Sequence, residues 1–123
     1  MFKLLDGMTL LLYCALIFWL SSQSFLPTPH LFPFEDKIHH FGAYFMMGIL
    51  AWRNFSHYLK SPVLLAIVSL VFCSLYGVSD EWHQSFVPGR ACDILDWVAD
   101  STGAGVAVLL LTRFFYKKNT ITV

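Results

Sequence analysis

The chain has 123 residues, enough for one domain, and 57% of them are apolar against 13% charged, far from the roughly 25% charge of an ordinary soluble domain. A formal net charge of zero lacks the basic excess of a nucleic-acid binder. The scattered Cys14, Cys73 and Cys92 offer neither a disulfide framework nor a CxxC zinc pair.

Stretches free of Asp, Glu, Lys and Arg run over 7–34, 38–52, 61–79 and 101–112. With a few flanking residues each reaches the roughly 20 positions that cross about 30 Å of hydrocarbon. Backbone in lipid must satisfy its own hydrogen bonds, so these stretches are expected as helices. The expected fold is all-α, with four transmembrane helices over about 6–24, 36–55, 61–79 and 93–115 in a single domain, 1–123. The first ends in Ser21-Ser22-Gln23-Ser24, a poor small-residue cleavage site, and reads as a span rather than a signal peptide. Pro27, Pro29 and Pro33 fill the link that follows.

Along the second helix Asp36, His40, Tyr44 and Gly48 recur every four residues, with Lys37 beside Asp36. Such a polar stripe suits packing against another helix rather than lipid. Beyond the link 54–61, the third helix delivers Glu81 and Gln84 at its far end, with His83 between them, before the Pro88-Gly89 turn. Asp93 and Asp96 fall in the first turns of the last helix, where the helix dipole favours a carboxylate by roughly 0.3–1 kcal/mol. Asp100 shares their face but lies about 10 Å deeper than Asp93, so it needs a proton, a partner or a wet cavity. Ser101, Gly103, Gly105 and Ala107 supply small-xxx-small spacing for close helix approach.

Five of the eight acids fall between Asp80 and Asp100, and charged groups at membrane depth are usually kept for function or pairing. Lys3, Arg53, Lys60, Arg113, Lys117 and Lys118 gather at one set of helix ends, while only Lys37 and Arg90 fall at the other. The positive-inside rule therefore places both termini in the cytoplasm. Every acid but Asp6 then lies on the outer side.

The segments S-S-Q-S (21–24), D-K-I-H-H-F-G-A-Y-F-M-M-G (36–48), S-D-E-W-H-Q-S-F-V-P-G-R (79–90) and D-W-V-A-D-S-T-G-A-G (96–105) resemble the VanZ-like family of small bacterial membrane proteins, in order and over nearly the whole chain. That family takes its name from a protein linked to low-level teicoplanin resistance. The resemblance implies a multi-pass protein of the bacterial cytoplasmic (inner) membrane. It also implies a functional set of Gln23, Asp36, Lys37, His40, Tyr44, Glu81, Gln84, Arg90, Asp96 and Asp100. Some members carry Asn at the position of Asp100, which favours a hydrogen-bonding role there.

Two readings of function follow. In the first, an outer polar pocket binds an envelope ligand: a lipid-linked precursor, a lipid headgroup or a glycopeptide. Lys37 and Arg90 would serve as donors to phosphate or carboxylate. The acidic surplus repels a bare anion, so a cationic or sugar-rich ligand stands beside it. In the second, the protein is a membrane hydrolase or transferase acting on a lipid-linked substrate at the outer leaflet through Glu81, His40, Asp96 and Asp100, with Glu81 as base and His40 as acid. No GxSxG elbow supports a serine nucleophile at Ser79 with His83. A transporter would be expected to show broken helices. No HExxH zinc motif is present, and no cofactor is expected, although a divalent cation would relieve repulsion among the acids. The purely structural alternative is a salt-bridge network of Glu81, Arg90 and Asp96 that fixes helix register. His39, turned about 100° from His40 on a helix, is unsuited to pair with it.

Overall fold

A computed structural model describes residues 1–25 and 31–121, with side chains through Lys117. Pro27 and Pro29 of the first link, and the side chain of Lys118, lie outside the described residues. The elements are α1 (Phe2–Ser21), α2 (Glu35–Ser56), α3 (Pro62–Gln84) and α4 (Ile94–Ile121), and no strand occurs among the described residues.

Local chemistry sets the helix starts. Ser61 caps α3, its side chain accepting from Leu64 N at 3.3 Å with Pro62 in the first position, where its missing N–H costs nothing. Asp93 stands just ahead of α4 rather than inside it, and its Oδ1 accepts from Leu95 N at 2.9 Å, as a helix cap does. Phe34, at φ 66°, turns the chain into α2. There the buried Glu35 carboxylate accepts from Leu31 N at 2.7 Å. α3 continues to Gln84, five residues past the expected end at 79, which brings Asp80 to Gln84 onto helical faces.

Three helices, α1, α3 and α4, are long and apolar enough to cross a membrane. α2 has the length, at 22 residues, but Glu35, Asp36, Lys37 and Arg53 dilute its apolar content. It compensates by packing inward: Tyr44, Met47, Gly48, Ala51 and Trp52 are buried. The outward faces carry exposed Leu11, Leu12, Val71, Leu75, Leu109 and Leu110, an apolar surface suited to lipid rather than water.

Among the described residues the most extensive packing is between α2 and α4, followed by α3 against α4, whereas α1 rests on α2 and α3. At the α2–α4 seam, a Cβ on Gly48 would stand 2.9 Å from the Ala104 carbonyl oxygen, and one on Gly103 would collide with the Phe41 carbonyl. The small residues of α4 thus serve two neighbours. Gly103, Ala104 and Ala107 meet α2, while Ser101 shares a 2.9 Å hydrogen bond with Ser74 on α3 and Gly105 faces Leu70. Two tyrosines pin α1: Tyr13 donates to the Ala43 carbonyl at 2.8 Å and Tyr76 to the Cys14 carbonyl at 2.5 Å. Antiparallel succession leaves two polar ends. One holds Asp6 against Arg53 and His57, each at 2.8 Å; the other gathers the remaining acids.

Candidate functional site

That second end is built from the C-termini of α1 and α3 and the N-termini of α2 and α4. Lys37, on the first turn of α2, reaches across to α4. Its Nζ lies 2.8 Å from Asp36, 2.6 Å from Asp93 and 2.6 Å from Asp96. The ammonium beside Asp93 holds that carboxyl below the usual carboxylate range. One turn deeper, His40 Nδ1–H donates to Asp100 Oδ1 at 2.8 Å. Asp100 has no exposed surface, so the pairing satisfies part of what its depth required. Its Oδ2 has no hydrogen-bond partner. The other imidazole nitrogen, His40 Nε2, faces Asp96 Oδ2 at 3.8 Å, beyond hydrogen-bond reach.

From α3, Glu81 Oε2 accepts from the Asp93 backbone N–H at 2.9 Å, while the buried Glu81 Oε1 has no partner. Asp80, buried one position earlier, takes a long 3.4 Å hydrogen bond from Tyr44. A cavity of about 100 Å³ opens beside these groups, bounded by Ser21, His40, Tyr44, Asp80, Gln84 and Arg90, with Ile17 and Leu20 as an apolar wall. Phe18 stacks on His83 at 4.4 Å between ring centroids, and Ser22 Oγ meets His83 Nε2 at 2.9 Å. These contacts tie the end of α1 to that of α3.

The residues singled out in the sequence fall unevenly around this centre. Lys37, His40, Tyr44, Glu81, Gln84, Asp96 and Asp100 converge. Asp36 is exposed at the rim, joined through Lys37. Gln23 contributes its carbonyl, to which Arg90 Nε donates at 2.9 Å, while Arg90 Nη2 donates to the Leu20 carbonyl at 3.2 Å. Arg90 thus lines the cavity while capping the last turn of α1. The Glu81–Arg90–Asp96 network of the structural alternative does not form; the ion pairs centre on Lys37 instead, because the Pro88-Gly89 turn carries Arg90 over α1. Gly89 takes φ 82°, and a Cβ there would stand 3.3 Å from the Ser24 carbonyl. Exposed His39 turns toward Glu35 at 3.8 Å. Ser79 spends its hydroxyl on the Tyr76 carbonyl, away from His83.

Asp80 and Ser21 are absent from the sequence-derived set. Asp80 was legible in principle, since it shares a helical face with Gly77 and Gln84, the same buried face of α3. For Ser21 no periodic signal exists, because the half of α1 that precedes it, 10–20, is apolar on every side.

Three apolar helices, a fourth helix packed against all of them and a polar centre at the helix ends define a membrane-type α-helical protein with one elaborated face. The family model described as VanZ/LLP1 matches residues 8–116, and the chain belongs to that family. It is also similar to an uncharacterized protein of Schizosaccharomyces pombe, 30% identical over 87 residues that make up 70% of this chain and 51% of that protein. The chain thus spans about half the length of that relative. No solved structure matches it.

Proposed function

We propose that the chain is a single four-span membrane domain with cytoplasmic termini, and that its polar end acts as a hydrolase or transferase on a lipid-linked substrate at the outer leaflet. In a bacterium this would be the outer leaflet of the cytoplasmic membrane. The observation that carries the reading is the buried pair His40–Asp100 beside the unpartnered Glu81 oxygen. One carboxylate fixes the ring while the ring's second nitrogen and a second carboxylate remain available, an arrangement suited to proton transfer or ligation. A structural network would consume these atoms.

The substrate class follows from the surroundings. The cavity is small, about 100 Å³, which suits the compact end of a headgroup rather than a whole glycopeptide. The exposed apolar faces of α1 and α3 lie next to it and would carry a lipid tail. Lys37 is already matched by three carboxylates and Arg90 by two carbonyls, so recognition of a bare anion by these cations alone is disfavoured.

A binding-only reading is favoured by the same cavity, and turnover separates the two. The purified protein in nanodiscs is incubated with a membrane lipid extract and followed by mass spectrometry. The wild type should consume a lipid-linked species that Glu81→Gln leaves intact while still folding. Equal consumption by the two, or none by either, would remove the catalytic reading.

A further inference from the structure

The site holds three side chains that share one habit. Each uses one polar atom to be held in place and keeps a second one for other use. His40 fixes its ring through Nδ1 on Asp100 at 2.8 Å, leaving Nε2. Asp96 gives Oδ1 to Lys37 at 2.6 Å, and its Oδ2 faces that Nε2 at 3.8 Å. Glu81 gives Oε2 to the Asp93 N–H at 2.9 Å, leaving the buried, unpartnered Oε1. One ligand-type atom from each of His40, Glu81 and Asp96 lies within 4.8 Å of the other two.

We infer that His40, Glu81 and Asp96 form a divalent-cation site. Two ligands held about 2.1 Å from a common ion stand roughly 3–4 Å apart, which matches the separation of His40 Nε2 from Asp96 Oδ2; a hydrogen bond would have drawn them closer. Asp100 plays the outer role, accepting from the far ring nitrogen and so presenting Nε2 to the ion, as carboxylates behind metal-bound histidines do. Lys37 and the Asp93 N–H orient the other two ligands. Charge agrees: Asp80, Glu81, Asp96 and Asp100 are all buried around one ammonium and one imidazole, and a dication offsets the surplus.

A second grouping, His40 with Asp80 and Asp100, shares the imidazole. In that arrangement Asp100 would join the ligands and the ring would lose its orienting bond. One nitrogen with two carboxylates suits Mn²⁺ or Zn²⁺ better than the all-oxygen preference of Ca²⁺. Resting on the proposed function, this assigns the substrate class as a lipid whose headgroup carries phosphate, since a cation in an acidic pocket supplies the attraction for phosphoryl oxygens that Lys37 and Arg90 cannot spare.

The test uses the full chain in detergent, stripped with chelator and titrated with Mn²⁺ and, separately, Zn²⁺. About one ion per chain is expected. Pulsed EPR of the Mn²⁺ form should show coupling to one imidazole nitrogen, lost in His40→Ala. Glu81→Gln should weaken binding more than tenfold, and Asp100→Ala by about 10–100-fold, with helical circular dichroism retained. Arg53→Ala, at the opposite end, should bind as the wild type does. Absence of stoichiometric binding, or binding unchanged in both Glu81→Gln and His40→Ala, would overturn the site and leave the acids sharing protons instead. The two readings fail separately. Ion binding without lipid turnover sinks the enzyme alone, whereas turnover by the stripped protein sinks the cation site alone.

Discussion

Lys37 carries the charge balance on which the polar end rests. Its side chain is 19% exposed and touches three carboxylates, of which Asp96 is 9% exposed. The pair with the buried Asp96 carboxylate is the costly one to break, since removing one partner of a buried pair leaves uncompensated charge, a loss of up to about 3–5 kcal/mol. Lys37→Met should therefore lower the unfolding temperature in detergent far more than Arg53→Ala, whose 56% exposed side chain is worth no more than about 1 kcal/mol. Equal melting of the two variants would show that the ammonium does not hold the site together. At this scale the sequence disclosed residue types and one depth argument: Asp100 did prove fully buried and paired. It could not disclose partners. Lys37 is adjacent to Asp36 in the chain, yet two of its three ion pairs reach across to residues 93 and 96. Arg90 sits on a turn whose path is set by contact with Ser24, so the direction of its side chain was not readable from spacing.

Among the helices, the α2–α4 seam decides whether the site assembles, because it sets His40 against Asp100. Glycine marks the seam, but not every glycine belongs to it. Gly103 abuts the Phe41 carbonyl, whereas a Cβ on Gly105 would meet only Leu70 at 3.7 Å. Gly103→Ala should cost about 1–3 kcal/mol through forced separation of the helices. Gly105→Ala should be neutral or stabilising by up to about 1 kcal/mol, since alanine is the better helix former. Thermal unfolding of both variants in one detergent checks the contrast, and matching losses would mean the seam lies elsewhere. The element count and approximate limits were legible because charge-free runs and proline-bearing links punctuate the chain. The division of the 101–107 stripe between two neighbours was not. Small residues permit approach on either side, and only tertiary packing chooses which. The polar ends of α2 also obscured its place: fewer apolar residues than its neighbours, yet packed against all three of them.

For the molecule as a whole, the decisive question is which side of the membrane the polar end faces. Lys3, Arg53, Lys60 and Arg113 belong to the end opposite the site, by the antiparallel order of the helices, and the excess of basic residues there argues for the cytoplasm. The chain carries its own reporter. Cys92 is exposed in the loop ahead of α4, Cys73 is buried and Cys14 is half-buried within α1. A membrane-impermeant maleimide should therefore label intact cells at Cys92, and Cys92→Ser should abolish the signal. A probe at the other end, Tyr58→Cys, replaces a residue 62% exposed just after α2, and should react only after permeabilisation. The opposite pattern would move the site to the cytoplasmic leaflet. The chemistry of His40, Glu81 and Asp96 would be unchanged, because burial and pairing do not depend on orientation. The pool of lipid substrates it meets would be a different one.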